Sequence, residues 1–213
     1  MGMIRAIIFD MDGVLIDAKD WHYESLNKAL DVFGFQISRY DHLVTYDGLP
    51  TKKKLEMLSM ERALPKGLHG LINNLKQIYT MEMIYQRCKP MFCHQRALST
   101  LKSENYKLGV CSNSIRQTID LMMEKSDLAK YLDRTLSNQD VTHSKPHPEI
   151  YEKMMAHFEL KPEECLILED NENGIKAALA SGAHLMKIET VYDVSYEKIR
   201  QRINEINSVA GKM

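Results

Sequence analysis

The feature that most constrains the fold is a regular alternation of short apolar runs with longer amphipathic stretches. The apolar runs lie at Ile4–Phe9, Leu108–Cys111 and Cys165–Leu168, with weaker ones at Arg134–Leu136 and Leu185–Ile188. Such runs are typical of parallel strands that are buried on both faces. The amphipathic stretches predict helices over Gln95–Glu104, Ile115–Lys125, Pro148–Phe158, Asn173–Ser181 and Tyr196–Ile206. The alternation therefore predicts an α/β fold built on a doubly wound parallel sheet.

A helical segment interrupts this alternation after the first strand. Between about Asp17 and Lys89 the pattern favours helices over Glu24–Phe33, Thr51–Glu61 and Leu68–Arg87 and indicates no strand. A chain of 213 residues is longer than one domain of roughly 150 residues and too short for two. We therefore expect a core domain of residues 1–16 and 90–213 and a smaller helical unit of residues 17–89.

Charge and cysteine content exclude several classes of protein. The 28 Lys and Arg residues nearly balance the 29 Asp and Glu residues, which argues against a strongly basic nucleic-acid binder. No apolar stretch approaches the roughly 18 residues of a membrane span, and the N-terminal sequence lacks the apolar region of a signal peptide. The four cysteines form no CxxC pair, and reduced thiols are the simplest account of them. We expect a cytoplasmic protein, a monomer or a weak homodimer, with neither nucleic acid nor membrane as partner.

Two pairs of carboxylates follow predicted strands. Asp10 and Asp12 come directly after the first strand, and Glu169 and Asp170 follow the strand at Cys165–Leu168. The carboxyl ends of parallel strands lie at one edge of a sheet, where α/β proteins bind ligands. An Asp-x-Asp-Gly sequence also begins calcium loops, but the later acidic ligands of an EF-hand are absent here. The two pairs together predict a site for a hard divalent cation with oxygen ligands.

Polar residues follow two further strands. Ser112, Asn113 and Ser114 precede a predicted helix whose N-terminal N–H groups could bind an anion, although Ser and Asn there are also ordinary helix caps. Lys145 lies in a Ser-Lys-Pro-His-Pro segment, in which the prolines restrict the backbone. A lysine held in this way can bind phosphate, but a solvated loop lysine would give the same pattern. Only the combination of the four strand ends points to magnesium-assisted phosphoryl transfer.

These four strand ends resemble, in order and residue type, the signatures of the haloacid dehalogenase-like hydrolase superfamily. The resemblance spans residues 10–174, and the helical insert is similar to the small cap of the beta-phosphoglucomutase-like branch. It implies a Rossmann-like core with the cap inserted after the first strand. It also implies that Asp10 attacks phosphorus and forms an aspartyl-phosphate, while Asp12 serves as general acid and then as general base.

The resemblance implies roles for the remaining signature residues as well. Lys145 and Ser112 are expected to hold the phosphoryl oxygens during catalysis, with Asn113 and Ser114 in phosphate binding. The implied cofactor is Mg²⁺, and its expected ligands are Asp10, Asp12 through its backbone carbonyl, Glu169 and Asp170.

Four further residues are candidates for substrate binding. His22 stands where the mutase branch has a cap-hinge histidine, and Gly48 lies in a segment that resembles the cap loop of that branch. Lys52 is close to the position of the mutase's phosphate-binding arginine, and Arg116 lies one place beyond its core lysine. Packing or a surface position would equally explain His22, and a solvated helix face would equally explain Lys52.

These departures from the mutase pattern favour a phosphomonoester hydrolase that acts on a small phosphorylated metabolite such as a sugar phosphate. A phosphohexomutase, which returns the phosphoryl group to the substrate instead of to water, is the second hypothesis. A non-catalytic binding or regulatory protein on the same fold is the third. Dehalogenases of the superfamily lack the second aspartate and need no metal, so Asp12 and Asp170 argue against that reaction.

Overall fold

The computed structural model of the protein describes residues 3–46 and 49–210, with side chains as far as Ser208. Five strands form one parallel sheet, in which the order β3-β2-β1-β4-β5 places β1 at the centre. The strands are β1 Ala6–Phe9, β2 Lys107–Cys111, β3 Arg134–Leu136, β4 Cys165–Glu169 and β5 His184–Lys187. The predicted parallel α/β sheet is confirmed.

Helices precede and follow the strands. They are α1 Lys19–Asp31, α2 Arg39–Asp41, α3 Thr51–Arg62, α4 His69–Arg87, α5 Phe92–Ser103, α6 Arg116–Lys125, α7 Glu149–Phe158, α8 Glu172–Ala180 and α9 Tyr196–Ala210. Among the predicted helices, the largest shift of an end is at α1, which begins five residues before Glu24. Its buried residues start at Ser25, and apolar periodicity reports only the buried part of a helix. No helix within the described ranges is both long and apolar enough to cross a membrane.

Burial of β1 on both faces explains its unbroken apolar sequence. All four residues of Ala6–Phe9 have no exposed surface. Ala6 and Ile8 share an apolar cluster with Met154 of α7 and Ala177 of α8. Successive side chains of a strand point to opposite faces, so Ile7 and Phe9 fill the core on the other side of the sheet.

The chain divides into two compact units. The larger comprises Met1–Asp17 and Lys89–Met213 and contains the sheet, and the smaller comprises Ala18–Cys88. In the smaller unit α1 packs along α4, and the described residues contain helices but no strand. Its own apolar core includes Leu26, Leu30, Tyr46, Leu55, Leu58 and Ile72. Two separate cores explain why the sequence pattern changes at both ends of the insert.

The strand register determines which residues lie side by side at the carboxyl edge of the sheet. Phe9 of β1 lies opposite Val110 of β2 and Leu168 of β4. The residues that follow these three are Asp10, Cys111 and Glu169. Because the strands are parallel, all three leave the sheet at the same edge.

Candidate active site

A tight turn after β1 places two aspartates at the carboxyl edge of the sheet. The Asp10 N–H donates to the Leu168 carbonyl at 2.9 Å, which continues the pairing of β1 with β4. The chain then turns back, and the N–H groups of Leu15 and Ile16 both donate to the Met11 carbonyl at 2.9 Å. Gly13 has a φ of 90°, a left-handed conformation that side chains with a Cβ rarely adopt. The turn therefore keeps Asp10 and Asp12 close to the strand end.

The ammonium of Lys145 is the centre of the site. It donates to Asp10 Oδ1 at 2.6 Å, to Glu169 Oε1 at 2.6 Å and to the backbone carbonyl of Cys111 at 2.9 Å. Lys145 is 3% exposed, so these contacts replace water almost completely. A lysine ammonium has three donors, and here each has an acceptor. The single cation thus joins the ends of β1, β2 and β4.

The loop that carries Lys145 is held on both sides. The Asn113 side chain accepts from the Lys145 N–H at 3.1 Å and donates to the Lys145 carbonyl at 3.4 Å. The Glu149 carboxylate accepts from the N–H groups of Thr142 and His143 at 2.9 and 2.8 Å. The Asn113 side chain thus helps to position the loop of Lys145, and phosphate binding at Asn113 stays a prediction.

Glu169 is fully buried and has a partner on each oxygen. Its Oε1 accepts from Lys145 and from the hydroxyl of Tyr151, and its Oε2 accepts from the Asp170 N–H at 3.2 Å. Gly174 of α8 packs directly against this carboxylate, because a Cβ built on Gly174 would lie 1.9 to 2.1 Å from its atoms. Tyr151 was not predicted from the sequence, although it lies six residues after Lys145 in the same motif.

The site carries more negative than positive charge. Burial raises the pKa of Asp10 well above its ordinary value, the Glu169 carboxylate raises it further, and the Lys145 ammonium opposes the shift. Burial alone would lower the pKa of Lys145, but the carboxylates of Asp10 and Glu169 outweigh burial and raise it. Lys145 is therefore charged, and one ammonium does not balance the surrounding carboxylates.

The same carboxylates fit a divalent cation. One oxygen from each of Asp10, Glu169 and Asp170 lies within 4.8 Å of the others. An all-oxygen set with several negative charges is the chemistry that Mg²⁺ prefers. The raised pKa of Asp10 reflects the excess of negative charge at this edge, which such an ion would offset. Asp12 lies near this group, where its Oδ2 accepts from the Ser114 hydroxyl at 3.1 Å.

The serines after β2 do not cap a helix. Helix α6 begins at Arg116 with Ile115 in the N-cap position, so the cap interpretation of Ser112 and Asn113 is wrong. Instead Ser112 is buried, and its Oγ accepts from the Ser114 N–H at 3.0 Å. The segment forms a small turn at the strand end, close to the backbone carbonyl to which Lys145 donates.

Arg116 is not part of the lysine cluster. Its Nη1 donates to the carbonyl and the hydroxyl of Thr135 at 2.9 and 2.7 Å, and its Nη2 pairs with Asp140. The Asp140 carboxylate also accepts from the N–H and hydroxyl of Ser137. The guanidinium therefore holds the end of β3, and phosphate binding by Arg116 stays a prediction.

The other predicted substrate residues belong to the smaller unit. His22 lies on α1 with its Nδ1 3.4 Å from the Nζ of Lys76 on α4. Lys52 is exposed in the first turn of α3, and Gly48 lies outside the described residues. Lys76 was not among the candidates predicted from the sequence, and the structure buries it, with 8% of its surface exposed. The signal was present, because the buried residues of α4 recur every four positions at Ile72, Lys76, Thr80 and Ile84.

Comparison with known proteins identifies relatives of this architecture. A pyrophosphatase from Anoxybacillus flavithermus is 29% identical over 188 residues, which cover 84% of this chain and 80% of the relative. A phosphorylated carbohydrates phosphatase from Thermotoga maritima is 26% identical over 196 residues, which cover 90% of this chain and 85% of the relative.

A solved structure shares the fold at lower sequence identity. The beta-phosphoglucomutase from Clostridium difficile superposes with a TM-score of 0.82 at 22% identity, covering 95% of this chain and 98% of that one. The sequence model of the haloacid dehalogenase-like hydrolases matches residues 7–188. That range contains all four strand-end signatures, and the match favours an enzyme over a non-catalytic binding protein. The chain belongs to the haloacid dehalogenase-like hydrolases.

Proposed function

We propose that this hydrolase is a cytoplasmic, Mg²⁺-dependent phosphomonoester phosphatase that acts on a small phosphorylated metabolite such as a sugar phosphate. The observation that carries the proposal is the buried Lys145 ammonium, 2.6 Å from Asp10 Oδ1 at the carboxyl edge of the sheet. A fixed cation beside a carboxylate suits a reaction in which that carboxylate attacks a phosphate group. The pyrophosphatase and the phosphorylated carbohydrates phosphatase among the relatives support the hydrolysis of a phosphate compound, and the second supports a sugar phosphate as substrate.

Asp10 is the proposed nucleophile. Its Oδ1 is engaged by Lys145, so we assign the attack on phosphorus to Oδ2. As the new bond to phosphorus forms, the ester bond breaks and Asp12 gives its proton to the leaving oxygen. Asp12 then accepts a proton from the water that hydrolyses the aspartyl-phosphate. The Ser114 hydroxyl, which donates to Asp12 Oδ2, orients this carboxyl group for both steps.

Positive charge offsets the repulsion between a carboxylate and a phosphate dianion. Lys145 supplies one charge, and we assign Ser112 to bind a phosphoryl oxygen beside it. Asp10, the backbone carbonyl of Asp12, Glu169 and Asp170 are the proposed ligands of Mg²⁺. When bound there, the ion would supply further positive charge to the phosphoryl oxygens.

The smaller unit is proposed to select the leaving group, as the caps of the beta-phosphoglucomutase-like branch do. Within it, His22 with its neighbour Lys76, the exposed Lys52 and Gly48 are the candidates for contact with the substrate. A cap of this kind excludes water from the reaction and sets which metabolite can bind.

The nucleophile assignment predicts the behaviour of Asp10→Asn. An amide cannot form the aspartyl-phosphate, so we expect at least about a thousandfold loss of kcat in a phosphate-release assay. The fold should survive, because Asn keeps the shape of Asp and an acceptor for Lys145. Asp120→Asn, a change at an exposed residue of α6, is the matched control. Phosphate release by Asp10→Asn close to that of the control would contradict the assignment.

The metal assignment predicts that a chelator removes activity and Mg²⁺ restores it. Binding should also stabilise the fold, by about 2.7 kcal/mol at a Mg²⁺ concentration one hundred times the Kd. Thermal unfolding with and without Mg²⁺ measures this effect. Asp170→Asn should lose most of the stabilisation, because it removes one charged ligand. Full activity after exhaustive chelation would contradict a role for the metal.

The position of Glu169 predicts a large effect of a single methyl group. Gly174→Ala places a Cβ within 2.1 Å of the Glu169 carboxylate, so that side chain or α8 must move. We expect a loss of about 1–3 kcal/mol in unfolding free energy, measured by urea titration, together with reduced activity. Gly70→Ala, where a Cβ meets nothing within 4 Å, is the control and should keep both. Equal behaviour of the two variants would show that Glu169 is not fixed in this position.

A phosphohexomutase is the second candidate, because His22 stands where the resembled mutase branch has a cap-hinge histidine. The two reactions differ in whether water or substrate accepts the phosphoryl group. We expect free phosphate to exceed glucose 6-phosphate when the protein is incubated with beta-glucose 1-phosphate and catalytic bisphosphate. Glucose 6-phosphate as the main product would overturn the hydrolase in favour of the mutase.

A further inference from the structure

Tyr151 is a buried residue beside the candidate active site to which the proposed mechanism gives no role. It lies in α7, one turn after Pro148 ends the loop that carries Lys145, and its side chain is fully buried. Its hydroxyl donates to Glu169 Oε1. Apolar neighbours of Tyr151, among them Ile150 and Met154, belong to the cluster that packs α7 against the sheet. The hydroxyl is therefore the polar end of an otherwise apolar contact.

Tyr151 also contacts the lysine to which Glu169 is bound. The Lys145 ammonium lies 4.8 Å from the centre of the Tyr151 ring, within the range of a cation–π interaction. The same ammonium donates to Glu169 Oε1 at 2.6 Å. One aromatic side chain thus touches both members of a buried ion pair, the cation with its ring and the anion with its hydroxyl.

The two donors on Oε1 restrict the orientation of the Glu169 carboxylate. The terminal torsion of a glutamate is broad, so a single contact would leave the group free to rotate. Here Lys145 and Tyr151 hold Oε1, and the Asp170 N–H donates to Oε2. Removing the hydroxyl would leave Lys145 as the only side-chain donor to Oε1 among the hydrogen bonds described for this carboxylate.

We propose that Tyr151 is a positioning residue for the phosphatase reaction. Through Glu169 and the contact of its ring, it keeps the Lys145 ammonium bound to Asp10 Oδ1, beside the Oδ2 that is the proposed nucleophile. A shift of the ammonium would weaken its interaction with the phosphoryl group in the transition state more than its interaction with the phosphate of the bound substrate. Such a change lowers kcat more than it raises KM. This role rests on the proposed function, since it is defined by that reaction.

The test is Tyr151→Phe, which removes the hydroxyl and keeps the ring. We expect kcat to fall about tenfold, the size of a lost hydrogen bond to a charged group, while KM changes less than about twofold. Tyr196→Phe is the control, because Tyr196 also donates its hydroxyl to a carboxylate, that of Glu104, at the surface of the same unit. The control should retain the kcat of the wild type.

A second comparison separates positioning from simple destabilisation. If Tyr151 acts through Glu169, its substitution should add little to Glu169→Leu, which has no acceptor for the hydroxyl, so Tyr151→Phe should lower kcat by less than about twofold in that background. A full tenfold effect in both backgrounds would overturn action through Glu169. Thermal unfolding of every variant reports the folded fraction to which kcat is referred.

The outcomes distinguish this inference from the proposed function. Turnover by the wild type with an unchanged kcat in Tyr151→Phe would overturn the role of Tyr151 and leave the phosphatase assignment intact. No turnover of any phosphomonoester by the wild type with Mg²⁺ would overturn the function and this role together. An equal loss of kcat in Tyr196→Phe would show that the effect is not specific to the Lys145 cluster.

Discussion

The buried ion pairs of Lys145 are the interaction on which the edge of the sheet depends. A lysine ammonium without water is costly unless each of its donors is bound, and here Asp10, Glu169 and the Cys111 carbonyl accept from it. These acceptors end three neighbouring strands that are far apart in sequence. Breaking one pair would leave a buried charge without its partner, which costs more than the pair itself contributes. The contacts that position the Lys145 ammonium beside Asp10 are therefore the same contacts that hold the three strand ends together.

The same arrangement leaves an electrostatic imbalance. One ammonium faces Asp10, Glu169 and Asp170, and burial together with the neighbouring carboxylates raises the pKa of Asp10. A raised pKa makes a carboxyl group a poorer nucleophile, so the proposed attack by Asp10 would need further positive charge at this edge. A divalent cation among the carboxylates would meet this need, because it would lower the pKa of Asp10 and attract a phosphate group.

The sequence was sufficient to predict features that a local stretch of residues determines. The five strands and the aspartates that follow β1 could be predicted because a strand end is visible as the end of an apolar run. The partners of Asn113, Arg116 and Tyr151 could not, since they depend on how α6 and α7 pack on the sheet. Arg116 binds Asp140, 24 positions away, and the sequence pattern contains nothing that joins them. The start of α1 was missed because its first turn is only partly buried.

The most direct test of the central claim, that Asp10 is a metal-dependent nucleophile beside Lys145, is ¹⁹F NMR of the protein with beryllium fluoride. Trifluoroberyllate resembles a phosphoryl group bonded to a carboxylate oxygen. Resonances of protein-bound fluoride are expected from the wild type in the presence of Mg²⁺. They should disappear after chelation and be absent from Asp10→Asn. Bound resonances of equal intensity in Asp10→Asn, or none from the wild type with Mg²⁺, would contradict the claim.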